Sequence, residues 1–318
     1  DDQAETVLFR MLRGAGTTGL AGILPVTAEG LIRPLLDVRR EDVHAYLRQH
    51  GLAWRDDSSN ASLEFARNRI RRELLPQLER EWNPRLTEAL AHVADVSYQE
   101  EVRWAQEVAA ASGEWLGDGG AVELPVASVT CHPLALQRRL MRHAVRLAKG
   151  NLARVEFAHI EGLVELVARS GSGRRTVPGL IATRSFEWLR VAVPRAVGRL
   201  EPVPVPGPGR YGLGSGKSMM ELEFSEALRP PDGYDTLGLE FRTWRPGDQY
   251  WPAGAGRMWS VQELFQKARV PSWKRALWPI LTSKGKILWV KQFGPEKDAG
   301  WLAIREIPVT GVNLSPRK

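Results

Sequence analysis

The chain has 318 residues, 43% hydrophobic and 25% charged, with a net charge of +7 and one cysteine, Cys131. That balance describes a globular chain with room for two or three cores. A single cysteine excludes internal disulfides and Cys-rich zinc sites, no apolar run approaches ~18 residues, and the acidic start lacks a signal-peptide pattern, which together suit a cytoplasmic protein with no membrane span.

The first element is a helix. Ala4, Val7, Leu8, Met11 and Leu12 recur at helical spacing, and Gly14 supplies a stop. Asp2 and Glu5 fit the N-cap and N3 positions of a capping box. They also lie one turn apart on one face, so they can present two carboxylates to a ligand; the two readings are compatible. Residues 14–19 spell G-x-G-x-x-G, but after a helix instead of a strand, so the dinucleotide fingerprint lacks its context. A strand is predicted over residues 32–36, then a helix from about Glu41 to His50 closed by Gly51. Residues 56–60 read as a polar loop. Behind it, Arg67, Arg69, Arg71 and Arg72 put four arginines within six residues at the head of a helix, more than solubility requires, which fits contact with phosphate groups or, alternatively, a solvated face or carboxylate partners.

The middle of the chain reads as mostly helical. Leu86, Leu90, Val93 and Val96 repeat with helical spacing, and amphipathic stretches over 133–149 and 154–169 are separated by Gly150-Asn151. Residues 137–149 carry Arg138, Arg139, Arg142, Arg146 and Lys149 with no acid, so this helix presents either an RNA-facing or a solvated basic face. Residues 176–182 and 186–191 read as the two strands of a hairpin. The Pro-rich segment 194–208 reads as an extended linker, and Gly216-Lys217-Ser218 as a turn, since Tyr211 stands where a Walker loop needs glycine. Beyond it, a strand enters a turn at Arg245-Pro246-Gly247-Asp248, a short helix covers 259–267, and another strand covers 287–290.

The positive charge is concentrated. Residues 242–291 hold ten cations and two acids, a net of +8, so the rest of the chain sums to about −1. The same stretch contains Trp244, Trp251, Trp259, Trp273, Trp278 and Trp289. Cations interleaved with flat rings suit a nucleic-acid surface, and they equally suit a small core built on tryptophan.

The series Asp-Asp-Gln-Ala-Glu-Thr at 1–6, Arg13-Gly14-Ala15-Gly16 with Gly19-Leu20-Ala21-Gly22, Ile32-Arg33-Pro34-Leu35-Leu36, Asp56-Asp57-Ser58-Ser59-Asn60, and Arg67-Asn68-Arg69-Ile70-Arg71 with Pro76 closely resembles the tRNA(Ile)-lysidine synthases, a family of PP-loop ATP pyrophosphatases. Residues 245–248, Leu264-Phe265, Val270-Pro271, Arg275 and Pro279 resemble that family's C-terminal domain. The resemblance implies a multidomain α/β plus all-α plus α+β protein. Residues 1–80 would be the C-terminal part of a PP-loop nucleotide-binding domain, 81–194 a helical tRNA-binding domain with a terminal hairpin, 195–216 a Pro/Gly-rich linker, and 217–318 a small mixed C-terminal domain that grips tRNA.

The family's activity, ligation of lysine to the wobble cytidine of an isoleucine tRNA through an adenylated base, implies ATP and Mg2+ as cofactors, with isoleucine tRNA and L-lysine as partners; a homodimer is left open. On the matching positions, Asp2 and Glu5 are the catalytic candidates, ordering magnesium (Asp2) or the lysine ammonium, while the proton of its amine could go to Asp1, Asp2 or Glu5. Arg13, Arg33, Asp57, Asn60, Arg67, Asn68, Arg71, Arg138, Arg142, Arg245 and Arg275 are the candidates for tRNA or phosphate. The family's Ser-Gly-Gly-x-Asp-Ser phosphate loop occurs nowhere in the 318 residues. The expectation is therefore an N-terminally truncated copy that does not adenylate tRNA alone. The alternatives are a non-catalytic tRNA-binding fragment and another PP-loop tRNA-modifying enzyme, though thiolases of that group use cysteines.

Overall fold

The computed structural model describes residues 1–27, 30–55, 62–113, 115, 120–195, 201–213, 218–224 and 238–307. They form two compact units, one of Asp1–Glu114 with Leu134–Leu140, the other of Trp115–Pro133 with Met141–Lys318.

The first unit is helical. Helix α1 spans Asp2–Leu12, α2 Thr17–Leu20 and α3 Arg40–Gln49. A composite helix follows, α4 Ala66–Arg69 running through a π turn, Ile70–Leu74, into α5 Leu75–Glu81. Pro76 stands in the first turn of α5 and explains the widened turn, because its ring meets the carbonyl four residues back and it offers no N–H. The 27-residue α6, Leu86–Ser112, packs along α1. Ala4, Val7 and Leu8 of α1 join Ile70, Leu75, Leu90 and Ala94 in one core.

Three expectations change here. Asp1, not Asp2, is the N-cap of α1, and no side chain caps it; Glu5 is one residue too far along to close a capping box and turns to arginines instead. The strand expected over 32–36 is a single bridge, Ile32 to Val26, followed by a turn at 34–37 where Pro34 cannot donate to a ladder. On α6 the helical spacing holds, but the buried stripe runs through Leu90, Ala94 and Ser97, while Val93 and Val96 are exposed.

The second unit begins with β1 Val122–Pro125, α7 Ala127–Thr130 and α8 Leu134–Lys149, whose residues Leu134–Leu140 belong to the first unit. Helix α9 Phe157–Ala168 and strands β2 Gly173–Val177, β3 Leu180–Ser185 and β4 Trp188–Ala192 complete a four-stranded antiparallel sheet of order β1-β4-β3-β2. The expected two-strand hairpin is thus three strands. Residues 176–182 straddle the β2–β3 turn, where Gly179 takes φ +81, and β1 returns from upstream to pair with β4.

Next come β5 Val203–Val205, β6 Gly209–Leu213, β7 Ser218–Phe224, β8 Leu239–Thr243, β9 Gln249–Tyr250 and β10 Trp259–Ser260. Helices α10 Val261–Lys267 and α11 Ser272–Arg275 lead to β11 Pro279–Ser283, β12 Lys286–Val290, β13 Gly294–Pro295 and β14 Leu302–Ile307. They pair as β13-β12-β11-β8-β5, β14-β7-β6 and β10-β9. Part of the segment read as linker is therefore strand. Pro204 sits on an edge strand, where its missing N–H breaks no ladder, so a proline-rich sequence still joins a sheet.

The five-stranded sheet is buried on both faces. Leu239, Phe241, Leu281 and Trp289 join one cluster, with Met220, Leu222 and Trp301; Ile280, Ile287 and Val290 join another, with Tyr250, Val261, Phe265 and Trp278. The tryptophans accordingly belong mostly to the interior. Trp278 and Trp289 are buried, Trp244 and Trp259 pack against the second cluster, and Trp251 donates Nε1–H to the Ala255 carbonyl at 2.6 Å. Phe265 is wholly buried, edge-on to Trp244 and Trp278 at 5.2 and 5.4 Å. Phe265→Ala should cost about 3–5 kcal/mol, read as a lower urea midpoint in tryptophan fluorescence; an unchanged midpoint would contradict this packing.

Candidate functional site

Helix α1 divides its residues among three tasks. Ala4, Val7 and Leu8 face the core. Gln3, Thr6 and Arg10, at i, i+3 and i+7, face the loop after α2. Gln3 Nε2 donates to the Ile23 carbonyl at 2.9 Å and its Oε1 accepts the Ile23 N–H at 2.7 Å. Arg10 Nη1 donates to the carbonyls of Gly19 (3.1 Å) and Gly22 (2.6 Å). Asp2 and Glu5 face the arginine-rich helix.

Glu5 is 1% exposed. A carboxylate at that depth is costly unless paired and hydrogen-bonded, and Arg71 meets it with both prongs, Nε to Oε1 at 2.5 Å and Nη2 to Oε2 at 2.8 Å. Arg67 adds Nε to Oε2 at 3.2 Å. Burial pushes the Glu5 carboxyl up, but Arg71 and then Arg67 outweigh it and hold its pKa below the ordinary value. Arg71 is raised in return, chiefly by its hydrogen bond to Glu5. Asp2 lies further out, its side chain 50% exposed, with Oδ1 3.1 Å from Arg71 Nη2 and 3.4 Å from both Arg67 Nη2 and Arg40 Nη2. Asp1 Oδ2 accepts the Arg40 N–H at 2.8 Å and so tethers the first turn of α3.

Beside this cluster lies an open cavity of about 760 Å³. Asp2, Thr6 and Arg10 form one wall, residues Gly22–Leu24 and Arg33–Leu36 the other, and Arg67 the rim. Arg33, one of the lining residues, donates Nη1–H to the Leu24 carbonyl at 2.9 Å. The cavity thus offers one half-exposed carboxylate and three arginines, of which Arg10 is engaged with the Gly19 and Gly22 carbonyls, a pattern that can receive a cationic group and an anionic group together.

The expected site residues separate into those brought together and those that are not. Asp2, Glu5, Arg33, Arg67 and Arg71 share this neighbourhood. Asn68 is buried next to it and donates to the Ser62 carbonyl at 2.8 Å, a holding role. Arg13 is exposed, 4.0 Å over the Phe9 ring. Asp57 and Asn60 lie outside the described residues. Arg138 and Arg142 are half-buried on α8, and Arg139 between them is engaged with Glu101 at 2.6 and 2.9 Å. Arg245 is exposed at its turn, with its N–H bonded to Asp248 Oδ2. Arg275 is turned inward, donating twice to the Val270 carbonyl.

Both oxygens of Glu5 are engaged by guanidinium groups, which hold its carboxyl below the ordinary range. Asp2 faces three cations, Arg40, Arg67 and Arg71, which offset its charge. Sequence reading passed over Gln3, Arg10 and Arg40. The i, i+3, i+7 polar stripe of α1 was the available signal for the first two.

Known proteins match this chain along most of its length. A family described as PP-loop domain matches residues 1–78, and one described as TilS substrate C-terminal domain matches 239–303. The tRNA(Ile)-lysidine synthase of Solibacter usitatus is 49% identical over 311 residues, covering 92% of this chain and 70% of that protein. The chain belongs to the tRNA(Ile)-lysidine synthase family. The synthases of Geobacter sulfurreducens and Symbiobacterium thermophilum are each 36% identical, over 91% of this chain and 65% and 66% of their own lengths. The chain therefore spans about two thirds of the relatives it matches. Its PP-loop match, which implies ATP use, contains the whole of α1, the arginine helix and the cavity.

Glu5 and its arginines give a pH signature. A carboxyl whose folded pKa lies below its unfolded value of about 4.3 contributes stability that is complete above the unfolded pKa and is lost as pH falls through the folded one. Glu5→Gln should destabilise the first unit by about 3–5 kcal/mol at neutral pH and flatten its loss of stability below pH 4. Thermal unfolding followed by circular dichroism from pH 3 to 7 checks this; parallel curves for the two proteins would contradict it.

Proposed function

We propose that this chain carries the tRNA-binding side of a lysine ligase acting on the wobble cytidine of an isoleucine tRNA, at the cavity between α1 and residues 22–36. The observation that carries the reading is the placement of Asp2, Arg33 and Arg67 around one opening in a chain of the lysidine synthase family. In the first step the cytidine carbonyl oxygen bonds to the α-phosphate of ATP and pyrophosphate leaves. In the second the lysine amine bonds to the activated ring carbon, AMP leaves with the C–O bond electrons, and the amine sheds a proton. Arg33 and Arg67 hold phosphate oxygens of the RNA or nucleotide, since guanidinium forks suit them. Asp2 receives the lysine ammonium. Arg71 is spent on Glu5 and keeps the wall in place.

The basic C-terminal domain, with Arg245 exposed, supports contact with the tRNA body, with Arg13, Arg138 and Arg142 as further candidates. Among the described residues no helix is long and apolar enough to cross a membrane, and the reading places the reaction in the cytoplasm. The net charge of +8 over residues 242–291 favours a second reading, tRNA binding without turnover. Purified chain incubated with ATP, labelled lysine and isoleucine tRNA separates the two. Label in the tRNA with AMP and pyrophosphate released supports ligation; tRNA binding with neither product supports the second.

Arg67 and Arg71 should part company on substitution. Their side chains are 49% and 20% exposed. Arg67→Ala is predicted to weaken tRNA binding on the order of tenfold, lower the salt slope by about 1 and change melting little. Arg71→Ala should mainly lower the melting temperature. Filter binding against salt with parallel thermal melts checks both, and equal effects of the two substitutions on binding would contradict the assignment.

A further inference from the structure

The wall of the cavity opposite α1 is a ribbon. Arg33 N–H bonds the Pro25 carbonyl at 2.9 Å, Val26 bridges Ile32, and Thr27 N–H bonds the Leu31 carbonyl at 3.0 Å, so residues 25–27 and 31–33 run antiparallel. The ribbon exposes Val26, Leu31 and Ile32 at 56%, 56% and 64%, so little packing fixes its angle. Its foot is fixed by polar contacts. Gln3 takes both backbone groups of Ile23, one donated and one accepted. Gly22 makes this approach feasible: a Cβ there would stand 2.3 Å from Gln3 Oε1 and 3.2 Å from the Ala94 Cβ, and its φ is +63. One residue beyond, the Leu24 carbonyl holds Arg33.

We infer that Gln3 is a positioning residue for the cavity, setting the place of Arg33 through the backbone of Ile23 and Leu24. A carboxamide is the suitable group, because only a side chain with a donor and an acceptor at one end satisfies an N–H and a C=O of the same residue. Arg10, gripping Gly19 and Gly22, holds the preceding turn and leaves Ile23 to Gln3. Gln3 touches no ligand in this account. It acts on RNA only through Arg33, and the inference rests on the reading of Arg33 given above.

A double-substitution cycle on the whole chain tests it, with isoleucine tRNA affinity and amide hydrogen exchange as readouts. Gln3→Met keeps length and removes both polar contacts. We expect it to speed exchange in the peptide containing Ile23 while peptides from α1 and α6 keep their protection. Arg33→Ala should weaken tRNA binding on the order of tenfold, Gln3→Met somewhat less, and the double variant no more than Arg33→Ala alone. Additive losses, or unchanged Ile23 protection in Gln3→Met, would overturn the inference. If the unsubstituted chain fails to bind isoleucine tRNA, the functional reading fails instead, and the coupling between Gln3 and Arg33 through the RNA is overturned with it, while the exchange data still report whether Gln3 holds the ribbon foot.

Discussion

The first unit depends on burying one carboxylate. Glu5 is almost wholly buried, and an unpaired charge there would cost several kcal/mol. The fold must therefore bring a cation to it, and among the described residues the helix that carries Arg67 and Arg71 does so. That requirement fixes the face that α4 and its π turn present to α1. It also sets the height of Asp2 above the pair, because the residue one turn before Glu5 emerges where the arginines meet solvent.

From that constraint the arginines take unequal parts. Arg71, shielded and bidentate, is a component of the scaffold. Arg67 shares the same carboxylate through a longer bond and keeps half its surface outside. Arg33 comes from a separate segment and is tied down through one nitrogen. A cluster that reads as uniformly basic is thus graded from structural to available, and its net field is softened by Asp2 and Glu5. Such a wall suits an anionic ligand that brings a positively charged partner.

The sequence made the helices and their order legible because their apolar spacing is strong: α1, α3, α8, α9 and α10 stand within a few residues of expectation, while α6 runs well beyond its expected repeat to Ser112. It misled where the signal came from backbone rules that tertiary context overrides. Pro204 suggested a linker, yet an edge strand tolerates it. Residues 32–36 looked extended, but without paired neighbours among the described residues they make one bridge. The tryptophans of 242–291 were ambiguous by composition alone, and the two-sided burial of the five-stranded sheet drew them inward. In the site, motif order found Asp2, Glu5, Arg33, Arg67 and Arg71 together. It did not tell buried from exposed members, since that depends on contacts across more than sixty positions.

The most direct test of the central claim is where the reactive nucleotide lies. Isoleucine tRNA carrying a photoreactive base at the wobble position would be bound, irradiated and digested, and the crosslinked peptides sequenced. The account predicts crosslinks to residues lining the cavity, in 2–10, 22–27 or 33–36. Crosslinks confined to 239–303, with none in the first unit, would contradict it.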